Sequence, residues 1–231
     1  MMAEVILALD LPRGADALRL LDQMPDLRWV KVGSILMTRE GPGLVRELIN
    51  RGLNVFLDLK WHDIPNTVAG AVTAARELGV SMATVHTLGG REMLEAAAVS
   101  AGSELALLGV TVLTSHDRIS YARATGRREV HLLREVERQA VIAAESGLRG
   151  VVCSPQEVSL LRRRLGQALY LVVPGIRRRS DPTSDQMRVA TARDALDNGA
   201  THLVVGRPVL QAAEPAKEFA EFLKEARCIV S

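Results

Sequence analysis

The sequence predicts a (β/α)8 barrel, and three observations carry that expectation. Eight short apolar runs alternate with eight longer amphipathic stretches along the 231 residues. The runs are nearly continuous in Val, Ile and Leu, as expected of parallel strands covered on both faces. The strand ends recur roughly every 28 residues between Asp10 and Gly206, close to ~250 residues over eight units. A doubly wound open sheet is the competing architecture, but the first turn, DLPRGADAL, lacks the GxGxxG fingerprint of dinucleotide binders.

In chain order the strand candidates are VILALDL (5–11), WVKVG (29–33), NVFLDLK (54–60), MATVHT (82–87), ALLGVTVL (106–113), GVVCS (150–154), YLVVPG (170–175) and HLVVGR (202–207). Helices are expected over 13–24, 38–51, 65–78, 91–101, 131–147, 155–165, 188–198 and 215–227. In 131–147 the apolar residues recur at helical spacing and Gly147 is a plausible C′ stop. Gly52, Gly79 and Gly199 sit at equivalent handovers from helix to strand. One interval, Thr114 to Ser154, is long; its excess, SHDRISYARATGRRE (115–129), is a polar excursion and a candidate lid. No linker or low-complexity tract interrupts the pattern, so residues 1–231 are expected to form one barrel domain.

Composition removes several function classes. A formal charge of +2, from 29 basic and 27 acidic residues, does not advertise nucleic acid as a partner. Two cysteines are too few for a disulfide framework, and Cys153 reads as a small buried strand residue. No basic segment followed by a long apolar stretch opens the chain, and no run approaches the ~18 apolar residues of a membrane span. A cytoplasmic protein with no membrane partner is expected. Lysine is scarce: Lys31, Lys60, Lys217 and Lys224 stand among 29 basic residues. Where lysine is kept, the question is whether an amine is needed.

Chemistry in this fold gathers at the C-terminal ends of the strands. Those ends read Asp10, Lys31, Asp58 with Lys60, His86, Thr114, Ser154, Pro174 with Gly175, and Gly206 with Arg207. Charged residues inside apolar runs are costly unless partnered. Strand alternation puts Asp58 and Lys60 on one face, with Asp63 just beyond in the loop. Neighbouring carboxylates favour the ammonium, which suits Lys60 to deliver a proton to a developing carbanion rather than to form a Schiff base. Gly206-Arg207 and Pro174-Gly175-Ile176-Arg177 look built for phosphate, between the loops after strands seven and eight. Arg178, Arg179 and the run Arg162–Arg164 read as solvated, and His116, His131 and His202 as surface or strand-edge residues. His86 reads as a hydrogen-bonded structural group. A metal held by Asp58, His62, Asp63 and His86 is an alternative, weakened by the lysine between the acids.

The run FLDLKWHDIPNT (56–67) closely resembles the signature of the orotidine 5′-phosphate decarboxylase family, and LALD (7–10), KVG (31–33), VTVLTS (110–115), GVVCSP (150–155), PGIR (174–177) and VVGRP (204–208) follow in family order. Trp61 stands where the family more often has Phe. The resemblance implies cofactor-independent loss of CO2 from orotidine 5′-phosphate, giving UMP. It makes Lys60 the proton donor to C6, places Asp58 against the substrate carboxylate, and has Asp63 reach in from the partner of a homodimer. Asp10 and Lys31 would hold ribose hydroxyls, with Thr67 contributing across the interface. Thr114 would bind the pyrimidine, and Arg177, Gln186, Gly206 and Arg207 the phosphate side; no cofactor or metal is implied. Two other readings stay open: a Mg2+-dependent decarboxylase or aldolase acting on a ketose phosphate, and a catalytically inert barrel that binds phosphate ligands.

Overall fold

The computed structural model describes residues 3–178, 188 and 190–227. Eight parallel strands close into a barrel in chain order. They are β1 (Glu4–Ala8), β2 (Trp29–Gly33), β3 (Asn54–Trp61), β4 (Met82–His86), β5 (Ala106–Val110), β6 (Gly150–Val152), β7 (Tyr170–Val173) and β8 (His202–Val205). Each expected run overlaps one of them, with β1 starting one residue earlier, at Glu4, and β3 ending one residue later, at Trp61. The helices are α1 (Gly14–Leu21), α2 (Ser34–Glu40), α3 (Pro42–Asn50), α4 (Pro65–Leu78), α5 (Gly90–Ala101), α6 (Arg118–Ala124), α7 (Leu132–Glu145), α8 (Val158–Leu165), α9 (Ala192–Asp197), α10 (Arg207–Leu210) and α11 (Pro215–Arg227).

Local chemistry explains most boundaries. Pro65 opens α4 at a position where a missing N–H costs nothing. Gly147 follows α7 at φ 86°, the left-handed stop expected of it. The helix expected over 38–51 is instead two, parted at Gly41, whose φ of 65° breaks the run before Pro42 starts α3. The excursion 115–129 contains α6, and its Tyr121 is buried. The Tyr121 hydroxyl accepts from Gln139 Nε2 at 2.8 Å and lies 3.4 Å from Glu135 Oε1, which ties α6 down onto α7.

Two apolar clusters divide the interior. The larger lies between strands and helices. The smaller fills the barrel with Ile6, Ala8, Phe56, Met82, Leu108, Val172 and Val204. Side chains two apart on a strand share a face. The next inward residue after this layer is therefore Asp58 on β3, Thr84 on β4 and Val110 on β5, with Asp10, Pro174 and Gly206 just past the ends of β1, β7 and β8. The functional end of the barrel is the rung directly above its core.

Three surface expectations are corrected. His202 is buried, edge-on to Trp29 and Tyr170 at centroid distances of 5.7 and 4.9 Å. Arg162 is also buried, because its guanidinium caps the carbonyls of Gly166, Leu169 and Gly199 at 2.7–3.1 Å. Arg163 and Arg164 are exposed, as expected. Arg178 pairs with Glu218 at 2.5 Å and stacks over Phe222, so it is a packing residue of α11. Arg179 lies outside the described residues.

Candidate active site

The site begins with an irregularity. Leu57 of β3 pairs with Ala83 of β4, but the next pair is Trp61 with Val85. Asp58, Leu59 and Lys60 thus stand opposite Thr84 alone. Lys60 adopts φ 53°, the left-handed region, and no other non-glycine residue among those described does so. That conformation costs about 1–2 kcal/mol for an L side chain. Plain strand alternation is therefore not what brings Asp58 and Lys60 together; the bulge is. The Lys60 amide donates to Thr84 Oγ1 at 2.9 Å, and the Thr84 hydroxyl donates to Asp58 Oδ1 at 3.0 Å.

Four charges alternate along a row. Lys31 Nζ lies 3.0 Å from Asp10 Oδ1 and 3.7 Å from Asp58 Oδ2, and Lys60 Nζ lies 2.8 Å from the same Asp58 oxygen. Burial by itself would raise the Asp58 carboxyl. The Lys31 and Lys60 ammonium groups, with hydrogen bonds from Lys60 and Thr84, outweigh burial and hold it below the usual carboxylate range. Asp58 is an anion with one side chain on either flank to keep it so.

The row lines a cavity of about 310 Å³ at the barrel mouth, within the size range of small-ligand sites. Val110, Val112 and Val152 make its wall apolar, and Thr114 and Ser115 border it at the end of β5. Arg177 and Arg207, with Gly175 and Gly206, border it at the ends of β7 and β8. A Cβ on Gly206 would lie in ordinary contact, 3.4 Å from that of Ala8 and 3.8 Å from Asp10 Oδ2, so these neighbours alone do not demand glycine. Of the residues singled out in the sequence, Asp10, Lys31, Asp58, Lys60, Thr114, Arg177, Gly206 and Arg207 meet here. Asp63 and Thr67 are exposed and do not line the cavity; the Asp63 carboxylate accepts the Ile64 amide at 2.6 Å. Among the described residues Lys60 therefore has one carboxylate partner, Asp58, rather than standing between two. Gln186 lies outside the described residues.

The histidines beside the row stay out of it. His86 Nδ1 accepts the Leu88 amide at 3.3 Å, the structural role expected, and its ring stacks on His62 at 5.6 Å. Burial first, then the neighbouring His62 and Lys60, push the His86 imidazole down to about 4. Among the described residues, no group of three or more His, Cys, Asp or Glu side chains is placed to hold a metal ion.

Two supports escaped the sequence reading. Thr84 is one; its only signal was parity, two residues after the inward Met82. The other is Arg188, buried against Glu157, whose guanidinium also donates to the carbonyls of Val112 and Leu113 at 3.1 and 3.0 Å. Glu157 spends its second oxygen on the Ser154 amide at 2.6 Å. One ion pair thus joins the ends of β5 and β6 behind the cavity wall.

Comparison with known proteins bears on the family and the fold. A family model described as "Orotidine 5′-phosphate decarboxylase / HUMPS family" matches residues 3–222. A protein of Halorhodospira halophila named orotidine 5′-phosphate decarboxylase is 48% identical over 228 residues, covering 96% of this chain and 94% of its own. One of the same name from Hydrogenovibrio crunogenus is 48% identical over 220 residues, covering 92% and 91%. The crystal structure of orotidine 5′-phosphate decarboxylase from Lactobacillus acidophilus superposes with a TM-score of 0.86 at 34% identity, covering 97% of this chain and 99% of that one. With the barrel, the charged row and these likenesses in hand, the chain belongs to the orotidine 5′-phosphate decarboxylase / HUMPS family.

Proposed function

We propose that the chain removes CO2 from orotidine 5′-phosphate without a cofactor, producing UMP. The observation that carries this reading is the Asp10–Lys31–Asp58–Lys60 row, set in a cavity that Arg177 and Arg207 also line.

Cleavage of the C6–carboxylate bond leaves its electron pair on C6, in the plane of the ring, where π delocalisation is poor. The Lys60 ammonium stabilises that charge electrostatically and then gives C6 a proton from Nζ, leaving a neutral amine that solvent reprotonates. Asp58, held ionised, fixes the ammonium and lies against the departing carboxylate. Asp10 and Lys31 take the ribose hydroxyls and Thr114 the pyrimidine edge. Arg177, Arg207, the Gly206 backbone and Gln186 receive the phosphate. Binding energy collected at the phosphate, far from C6, serves the chemical step by fixing the ring against the row.

Asp63 and Thr67 enter this scheme from a second copy of the chain. Both are exposed, and Ile64 and Leu88 present large apolar side chains on the same side of the barrel mouth. A homodimer that buries these side chains delivers the second carboxylate to Lys60 and completes an Asp–Lys–Asp array.

The test is a spectroscopic assay of orotidine 5′-phosphate consumption with EDTA present. Turnover that survives the chelator is expected; no consumption of substrate with or without EDTA would sink the reading, and turnover that stops when EDTA is added would favour a metal-dependent member of the family. Lys60→Ala is expected to lower kcat by more than about 1,000-fold, which corresponds to about 4 kcal/mol of transition-state stabilisation.

A further inference from the structure

We infer that Thr84 is the positioning residue that sets Lys60 and Asp58 in reacting geometry. This rests on the reading above, in which Lys60 delivers the proton. Thr84 is fully shielded from water, and its hydroxyl makes two bonds at once. It accepts the Lys60 amide at 2.9 Å and donates its single proton to Asp58 Oδ1 at 3.0 Å.

The register explains why both bonds are needed. With Leu57 on Ala83 and Trp61 on Val85, three residues of β3 face one residue of β4. A parallel ladder offers no backbone acceptor for the amide of a residue looped out in this way. Thr84 supplies that acceptor from its side chain. An unpaired amide there would relax the loop toward ordinary strand geometry, and the positive φ of Lys60 would go with it. The ammonium would then leave its place 2.8 Å from Asp58.

The second bond acts on the carboxylate. Asp58 Oδ2 is occupied by the two lysines and Oδ1 by Thr84, so every strong partner of this anion among the described residues is fixed. Loss of the hydroxyl frees one oxygen, lets the carboxylate turn about its Cβ–Cγ bond, and removes one of the influences that keep it ionised. Thr84 touches no reacting atom in this arrangement; Thr84 is absent from the cavity lining. It acts through the two residues that do.

Valine matches threonine in shape and lacks the hydroxyl, whereas serine keeps the hydroxyl and loses the methyl. Thr84→Val is expected to lower kcat at least 30-fold with KM for orotidine 5′-phosphate and Kd for UMP within 3-fold of the parent. The acid limb of its kcat profile is expected to move to higher pH. Thr84→Ser is expected to recover kcat to within 5-fold and return the limb to its parental position. If valine does not fold, Thr84→Ala takes its place in the same comparison. Parental kcat and pH profile in the hydroxyl-free variant would overturn the inference, as would equal loss in it and in serine, which marks mere packing. The parent and Lys60→Ala run alongside. An inactive parent or an active Lys60→Ala sinks the reading of the site and this inference with it. A dead Lys60→Ala beside a fully active Thr84→Val sinks only the assignment of Thr84.

Discussion

Asp58 holds Lys60 at 2.8 Å through Oδ2, the same oxygen that Lys31 approaches at 3.7 Å. One carboxylate oxygen thus serves two ammonium groups, and its ionisation depends on both.

The pH profile follows from that sharing. Asp58 titrates below the ordinary carboxylate range, so its anion is present at every pH above that value and is lost only as pH falls through it. The acid limb of kcat should therefore lie below about pH 4. Lys31 is the larger of the two coulombic influences lowering Asp58, so Lys31→Ala should move the limb to higher pH. Profiles of kcat between pH 3 and 8 check this, and an unmoved limb in the variant would refute it.

The buried pair of Arg188 and Glu157 predicts an asymmetric mutational response. Glu157 is fully shielded and Arg188 nearly so. Glu157→Gln leaves a guanidinium buried without its counter-charge, which should cost about 3–5 kcal/mol in chemical denaturation. Replacing both residues by apolar ones of similar volume should cost less than the single change. If the double variant is the weaker one, the pair is stabilising in its own right.

Acid weakens the fold through His202. Burial pushes this imidazole down to about 4, while in the unfolded chain it returns to about 6.5. Between those values the unfolded state binds the extra proton, so stability is full above pH 6.5 and falls as pH drops toward 4. A shift of this size is on the order of 3 kcal/mol at most. His86 titrates low in the same window, so His202→Gln should remove part of the slope rather than all of it. Denaturant unfolding at pH 4, 5, 6 and 7 measures it; an unchanged slope in the variant would count against the assignment.

Cys153 should be chemically silent. It is buried, and burial raises its thiol to about 12, against weaker opposing influences from Arg162 and Arg188. Thiolate is the reactive form. Iodoacetamide at pH 8 should leave the peptide carrying Cys153 unmodified in the native protein and label it after denaturation. Native labelling at that residue would show that the β6 end opens.

The barrel was legible because its signals repeat. Eight Val-, Ile- and Leu-rich runs survive small errors in any one of them, and the charges of Asp10, Lys31, Asp58 and Lys60 stood out by interrupting such runs. What escaped has a physical reason in each case. The bulge at Lys60 leaves no letter behind, since lysine is not a residue that announces a positive φ. The break at Gly41-Pro42 was written as Gly-Pro punctuation, but the apolar spacing on either side read as one helix. Arg162 looks like its neighbours Arg163 and Arg164; only the position of three carbonyls separates it from them. His202 lies at the start of its strand, where sequence does not say that two aromatic rings close over it. Thr84 needed the strand parity to be carried one residue further than the obvious charges.

Because the charged rung rests directly on Ala8, Phe56, Met82 and Val204, the interior of this barrel and its candidate site are one stack. Substituting Phe56 or Met82 with a smaller residue would be felt as a tilt in the residues above before any strand parts. The practical reading is that such a protein ages by losing pace: warmed toward its melting point, it should slow while still folded.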